Sequence, residues 1–268
     1  MSDQVLIEQF KLYGERNTGT GFLHGLVKKN FTLSSLSGAA NDDEKRRRRQ
    51  AVKGIDDWVI GRLVKDRFDT HANNTRLVRE TFGWKHTNPP VEYLKSVPER
   101  TAKTLFIILV KHPVFWMNSF YKRPYHSYFN YDSMSLHDFI HHIFVPTGRD
   151  NVDATIYDTV AELYGAKIDG YRRLVEMGVP YQLVRYEDLV SDVPGFLRRM
   201  EASHGLRRRR EQDLVREAGT KGDDATLADY KEKYRLDKVR DIVSPADYEY
   251  IIEKFGRERL AWLGYPEF

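Results

Sequence analysis

A continuous apolar run near the middle of the chain places the strongest constraint on its fold. Residues Thr104–Val110 read Thr-Leu-Phe-Ile-Ile-Leu-Val and are followed at once by Lys111. A strand without polar alternation is buried on both faces, which is typical of a central strand in a parallel sheet. A helical pattern, Val114 to Lys122, follows it. The run therefore predicts an α/β structure rather than an all-helical one.

Two more strand-like segments support the same architecture. Leu6 to Tyr13 precedes a predicted helix, Thr20 to Lys29, and Tyr181 to Leu189 precedes another, Val193 to His204. Strands that alternate with helices predict an α/β fold with a central, largely parallel sheet flanked by helices. The sequence contains no internal repeat and no linker-like segment. We therefore expect a single domain over residues 1–268.

Composition excludes several classes of function. The net charge is only +4, from 43 basic and 39 acidic residues, so the surface as a whole does not resemble a nucleic-acid footprint. The chain has no cysteine, which excludes a thiolate nucleophile and a cysteine-based zinc site. We find no leader-like N-terminus and no apolar segment of about 20 residues. These features predict a cytoplasmic protein without a transmembrane segment.

A glycine-rich stretch between the first strand and the first helix predicts an anion site. Backbone N–H groups of such a loop, together with the positive end of the helix, favour a bound phosphate. Gly14 and Gly19 have the spacing of a Walker A loop, but Thr20 and Gly21 stand where Lys and Ser/Thr are expected. The sequence predicts a P-loop-like phosphate loop that is not built for ATP. A tight turn without a ligand is the alternative.

Two other pairs of residues are candidates for the same site. Lys111 lies at the end of the central strand, where ligands of α/β sheets bind, and Ser119 lies on the following helix. Lys85 and His86 are predicted to end a short extended segment that begins at Leu77. A ligand with two separate phosphate groups would use both the glycine-rich loop and the pair of Lys111 and Ser119.

Four stretches together resemble the sulfotransferases that use 3′-phosphoadenosine-5′-phosphosulfate (PAPS). Arg16–Thr20 is similar to their 5′-phosphosulfate loop, and Lys85–Pro89 is similar to a Lys-Thr-His-Leu-Pro segment of cytosolic members. Lys111 and Ser119 resemble the Arg and Ser that hold the 3′-phosphate, and Val184–Leu189 resembles a strand that passes the nucleotide. The four stretches span about two thirds of the chain.

The resemblance implies a donor, a product and a set of binding residues. The donor would be PAPS, and the product would be adenosine 3′,5′-bisphosphate (PAP). The acceptor would be a hydroxyl or amine of a small molecule or carbohydrate, whose identity the sequence does not indicate. The residues expected to bind the donor are Arg16, Asn17, Thr18, Gly19, Thr20, Lys111, Ser119 and Tyr186.

The resemblance also implies catalytic roles. His86 is the expected base for the acceptor proton, with Glu15 as the alternative base. Arg16 and Lys85 would neutralise charge on the transferred group. Two positions depart from the family pattern. Asn17 stands where the family has its loop lysine, and Lys111 stands where the family has the arginine that holds the 3′-phosphate.

We predict no metal site. His137 and His141 form an i, i+4 pair on a predicted helix, Ser133 to Phe144, but the sequence shows no matching carboxylate or cysteine set. The aromatic residues Trp116 and Tyr121–Phe129 are candidates to line an acceptor site, with a place in the core as the alternative.

Two other classes of function remain open at this point. One is a P-loop kinase or NTPase. The other is a basic module that binds nucleic acid or an anionic surface through Arg46–Arg49 and Arg207–Arg210. As a transferase, the protein is expected to bind no nucleic acid, and the sequence does not indicate its oligomeric state.

Overall fold

The described part of the chain is an α/β structure built on one parallel sheet. The computed structural model describes residues 6–124, 131, 133–209 and 224–266. Its four strands are β1 (Gln9–Gly14), β2 (Ser34–Ser35), β3 (Thr104–Val110) and β4 (Tyr181–Arg185), and they lie in the order β2-β1-β3-β4. All pairs are parallel, and helices flank the sheet. The predicted α/β fold with a parallel sheet is confirmed.

The central position of β3 follows from its apolar sequence. Every residue of β3 is buried, and it pairs with β1 on one side and β4 on the other. Gly14 lies opposite Leu109, and Arg185 lies opposite Val110. Since all strands run in one direction, the residues that follow β1, β3 and β4 emerge at the same edge of the sheet.

The helices of the described residues connect these strands and cover the sheet. They are α1 (Thr20–Asn30), α2 (Asp42–Ala51), α3 (Trp58–Ala72), α4 (Val78–Thr81), α5 (Val91–Lys95), α6 (Pro98–Ala102), α7 (Pro113–Lys122), α8 (Leu136–Ile140), α9 (Val160–Glu176), α10 (Tyr186–Ser191), α11 (Val193–His204), α12 (Leu227–Lys233), α13 (Pro245–Phe255) and α14 (Arg257–Trp262). Within the described ranges, no helix is both long and apolar enough to cross a membrane.

The predicted extended segment before Lys85 is wrong. The chain there is helical, because α4 continues a π-helical turn, Asn73–Leu77. Phe82 then adopts a left-handed conformation, and the Gly83 amide donates to the Leu77 carbonyl, which caps the helix end. Lys85 and His86 consequently lie in a turn, not at the end of a strand.

Two other boundaries differ from the prediction for local reasons. The last strand ends at Arg185 because Tyr186 begins α10, so Tyr186 lies at a helix start. The sequence pattern predicts one closing helix over Pro245 to Leu263, but Gly256, whose φ is 98°, separates α13 from α14 there.

Trp116 belongs to the core instead of an acceptor surface. Its side chain is fully buried and stacks on Tyr164 at a ring separation of 4.3 Å. The aromatic residues Tyr125–Phe129 and Arg210 of the second basic run lie outside the described residues.

Candidate functional site

The glycine-rich loop connects β1 to α1 through two left-handed residues. Asn17 has a φ of 64° and Gly19 a φ of 95°. The Thr18 amide and hydroxyl both donate to the Glu15 carbonyl, at 3.3 and 2.5 Å, so the Thr18 hydroxyl is used within the loop. Gly19 is the N-cap of α1 and offers no side chain to its first amides. Those amides lack intrahelical acceptors and can bind an anion.

Lys111 and Ser119 meet beside this loop. Lys111 directly follows β3, and its Nζ donates to the Asn17 carbonyl at 2.8 Å. The same Nζ lies 3.5 Å from Ser119 Oγ. Ser119 is held on α7, where its hydroxyl donates to the Phe115 carbonyl at 2.8 Å. One ammonium group therefore connects β3, α7 and the loop.

A cavity of about 160 Å³ opens over this pair, and we call it the Lys111 cavity. Its described lining residues are Asn17, Gly19, Lys111, Asn118, Ser119, Lys122, Arg123, Tyr186, Tyr230, Lys233 and Tyr234. Four of these side chains are cationic, and none of the described lining residues is a carboxylate. The cavity is therefore suited to an anion with more than one negative charge.

Helix α12 contributes to the Lys111 cavity, which no sequence motif indicates. Tyr230 and Lys233 lie on α12, and Tyr234 is its C-cap residue. More than a hundred residues separate them from Ser119 in sequence, and no motif marks them. The one pattern that could have indicated them is the i, i+3 and i, i+4 spacing of Tyr230, Lys233 and Tyr234, which places all three on one face of a helix.

Burial lowers the pKa of Lys111 to about 7; Glu187 opposes this effect and Lys233 adds to it. The side chain is only 3% exposed. Its Nζ lies 4.3 Å from the ring centroid of Tyr186 and 4.4 Å from that of Tyr234, which favours the charged form when an anion is present. An anion bound in the cavity would therefore pair with the Lys111 ammonium and would raise the pKa of Lys111.

Tyr186 and Gly19 pack closely. A Cβ added to Gly19 would overlap the Tyr186 ring. This overlap and the left-handed φ of Gly19 both favour glycine at position 19. Tyr186 thus lies against the loop and lines the Lys111 cavity, and its expected role in binding the donor stays a prediction.

A second cluster forms around the start of the loop. The Gly14 amide donates to the Lys85 carbonyl at 3.0 Å, and His86 Nδ1 lies 2.5 Å from the Gly14 carbonyl oxygen. The Arg16 guanidinium lies 4.4 Å from the Trp84 ring, which contacts the His86 ring at 4.6 Å. The structure thus brings Arg16, Lys85 and His86 together.

The surroundings of His86 favour a neutral imidazole. Burial, followed by the nearby charges of Lys85 and Arg16, lowers the pKa of His86 well below its usual value. Because a carbonyl can only accept, Nδ1 carries the proton and Nε2 keeps its lone pair. The His86 side chain remains 7% exposed. Neutral imidazole with a free lone pair is the form that a general base requires.

Glu15 belongs to a fully buried ionic network. Its Oε1 accepts from the Arg16 amide at 2.6 Å, and its Oε2 lies 3.5 Å from Lys167 Nζ. Lys167 also donates to Asp150 Oδ1 at 2.9 Å and to the His86 carbonyl at 2.8 Å. Lys167 and Asp150, which no sequence pattern indicates, thus support the turn that carries His86.

The loop therefore separates two sets of predicted residues. Arg16 faces Trp84 and His86, whereas Asn17 and Gly19 face the Lys111 cavity. Arg149, which the sequence analysis missed, also contacts Trp84, at 3.9 Å. Thr20 begins α1 and is buried, so its methyl group packs near Gly14.

Comparisons of this chain with protein-family models, with curated proteins and with solved structures find no match.

Proposed function

We propose that the protein is a sulfotransferase that moves a sulfuryl group from PAPS to a hydroxyl or amine acceptor. The observation that carries this proposal is the meeting of Lys111 and Ser119 in a cationic cavity beside the glycine-rich loop. PAPS carries anionic groups at both its 5′ and 3′ positions. The loop and the Lys111 cavity are two neighbouring anion sites, so a nucleotide with both groups matches them better than one with a 5′-diphosphate alone.

The residues at the cavity fit the donor. The 5′ end would be held by loop amides and the start of α1, which accounts for the P-loop-like spacing of Gly14 and Gly19. The 3′-phosphate would bind Lys111 and Ser119, with added attraction from Lys233. Lysine acts there as a point charge, without the bidentate geometry of an arginine.

When bound, PAPS supplies the activated sulfuryl group. His86 Nε2 takes the acceptor proton, and the fixed positive charges of Arg16 and Lys85 stabilise the charge that develops during transfer. Transfers of this kind depend mainly on position and electrostatics, as phosphoryl transfer does. Glu15 is the weaker candidate for the base, because it is 0% exposed and already faces Lys167.

Thermal denaturation with different nucleotides tests the donor. PAP should raise the melting temperature more than ADP or AMP at equal concentration, because only PAP occupies both anion sites. Equal shifts for all three would contradict the proposal. A larger shift with ATP and Mg²⁺ would instead favour a kinase or NTPase.

Transfer itself is tested with sulfur-labelled PAPS and a panel of phenols, alcohols, amines and oligosaccharides. Labelled acceptor together with PAP is the expected result. A protein that binds PAP selectively but transfers label to no member of the panel would be a nucleotide-binding module rather than a transferase.

A further inference from the structure

Three metal-ligating side chains converge on the surface between α8 and α13. His137 Nδ1 lies 2.8 Å from Asp247 Oδ1, and His141 Nε2 lies 3.0 Å from the same oxygen. The two imidazole rings are 4.6 Å apart, and the three ligand atoms all lie within 4.8 Å of one another. The sequence near this histidine pair shows no matching carboxylate. The structure supplies one from 106 residues further along the chain than His141.

The two nitrogen–oxygen separations in this cluster are close to those of a metal centre, and the two nitrogens lie within 4.8 Å of each other. A zinc ion binds nitrogen and oxygen ligands at about 2.0–2.2 Å, which places tetrahedral ligands roughly 3.3 Å apart. The observed separations of 2.8 and 3.0 Å need only a small opening to reach that value. His137 and His141 are one helical turn apart, so they present their nitrogens on one side of α8.

A neighbouring hydroxyl orients the carboxylate. Ser244, the N-cap of α13, donates through Oγ to Asp247 Oδ2 at 2.8 Å, which leaves Oδ1 directed at the histidines. Such a hydrogen bond to the distant oxygen is a common support for a metal-ligating carboxylate. The Asp247 side chain is 8% exposed, whereas that of His137 is 66% exposed. The site is thus anchored on one side and open to ions and water on the other.

We propose that His137, His141 and Asp247 form a binding site for a divalent transition-metal ion, which we probe with Zn²⁺. Two imidazoles and one carboxylate favour zinc over the oxygen-preferring Mg²⁺ and Ca²⁺. The ion would take the place of the hydrogen bonds between the imidazoles and Asp247, with each neutral imidazole carrying its proton on the other ring nitrogen, and it would cross-link α8 to α13. None of the three residues lines the Lys111 cavity, so this site is separate from the proposed donor site.

Calorimetric titration of Zn²⁺ into tag-free protein, freed of metal with a chelator, tests the site. We expect one tightly bound zinc per chain in the wild type. His137→Ala, His141→Ala and Asp247→Asn should each weaken binding at least tenfold. His142→Ala is the matched control: it removes a histidine next to α8 that lies outside the cluster, and it should bind zinc as the wild type does.

The thermal readout separates metal binding from a folding defect. His137→Ala should melt at the wild-type temperature in the presence of a chelator, because its side chain is largely exposed. Zinc should raise the melting temperature of the wild type and of His142→Ala, but not that of His137→Ala. Mg²⁺ should neither stabilise the protein nor displace zinc.

Two results would overturn the proposal. One is a wild-type protein that binds no zinc at neutral pH. The other is a His137→Ala variant that binds zinc as tightly as the wild type, which would place the ion at other histidines. Neither result bears on the sulfotransferase proposal, since nucleotide binding uses other residues.

Discussion

The Lys111 ammonium donates to the Asn17 carbonyl at 2.8 Å and thereby joins the end of β3 to the glycine-rich loop. This bond orders the loop before any ligand arrives. It also holds a buried lysine, whose pKa is lowered by burial to about 7, at the floor of the Lys111 cavity. The charge of that lysine therefore depends on what the cavity contains.

PAP binding should weaken as the pH rises above 7. Burial lowers the pKa of free Lys111 to about 7, and a bound phosphate raises it, so binding takes up a proton above that pH. One linked proton lowers affinity by at most about tenfold per pH unit. Calorimetry between pH 7 and 9 measures this slope. In Lys111→Arg the guanidinium stays charged, so the affinity for PAP should not change with pH over this range. Identical pH slopes in the variant and the wild type would show that Lys111 is not the group that takes up the proton.

Gly19→Ala should damage the loop, whereas Gly21→Ala should not. Alanine at position 19 meets a φ of 95° and the Tyr186 ring, so we expect a loss of stability of about 1–3 kcal/mol and weaker PAP binding. Apart from the two adjacent residues and the backbone of α1 itself, no described atom lies within 4 Å of a Cβ at Gly21, where alanine can add up to about 1 kcal/mol. Urea denaturation of the two variants compares them. Equal stability would show that residue 19 does not need glycine.

The elements that could be predicted from the sequence are those whose conformation is determined by their own residues. The apolar run Thr104–Val110 matches β3 because burial on both faces requires apolar residues at every position. The helix Val193–His204 also matches the prediction, with Asp192 as its cap. The segment before Lys85 could not be predicted in this way. Its apolar residues suit either conformation, and the left-handed cap at Phe82 depends on its surroundings.

The rest of the candidate site depends on contacts between distant residues. Lys167 reaches the His86 carbonyl across 81 positions, and His137 reaches Asp247 across 110. Neither pair has a spacing that a local pattern can detect. Lys111 and Ser119 could be predicted because they are only eight residues apart and lie on consecutive elements of one α/β unit.

His86→Ala should lower turnover by about 10²- to 10⁴-fold, the usual effect of losing a general base. Its affinity for PAP should change little, because His86 does not line the Lys111 cavity.

The pKa of His86 is held well below its usual value by burial and nearby cations, so the base stays unprotonated at pH 6.5. Wild-type turnover should therefore remain constant from neutral pH to somewhat below 6.5.

Glu15→Gln is the companion variant for the base assignment. It removes a buried charge that faces Lys167, so its main effect should be on the free energy of unfolding. A folded Glu15→Gln protein without turnover, beside an active His86→Ala protein, would transfer the role of base to Glu15.

Lys167→Met should destabilise the protein far more than Arg172→Ala on the same helix. Lys167 is 0% exposed and faces the carboxylates of Glu15 and Asp150, so removing one partner of this buried network should cost about 3–5 kcal/mol. Arg172 pairs with Glu176 at the surface, where such a pair is worth about 0.5 kcal/mol or less. Equilibrium denaturation gives both values. A cost below about 1 kcal/mol for Lys167→Met would show that the network does not support the fold.

The most direct test of the central claim compares two nucleotides that differ only in the position of one phosphate. Adenosine 3′,5′-bisphosphate and adenosine 2′,5′-bisphosphate carry equal charge, so a general attraction to the cationic cavity cannot separate them. Calorimetry should show at least about tenfold tighter binding of the 3′ isomer, as expected for charge-assisted hydrogen bonds worth 1.5–3 kcal/mol. Lys111→Ala and Ser119→Ala should reduce this preference, and Lys28→Ala, an exposed lysine on α1, should leave it unchanged. Equal affinity of the wild type for both isomers would contradict a 3′-phosphate site at Lys111 and Ser119.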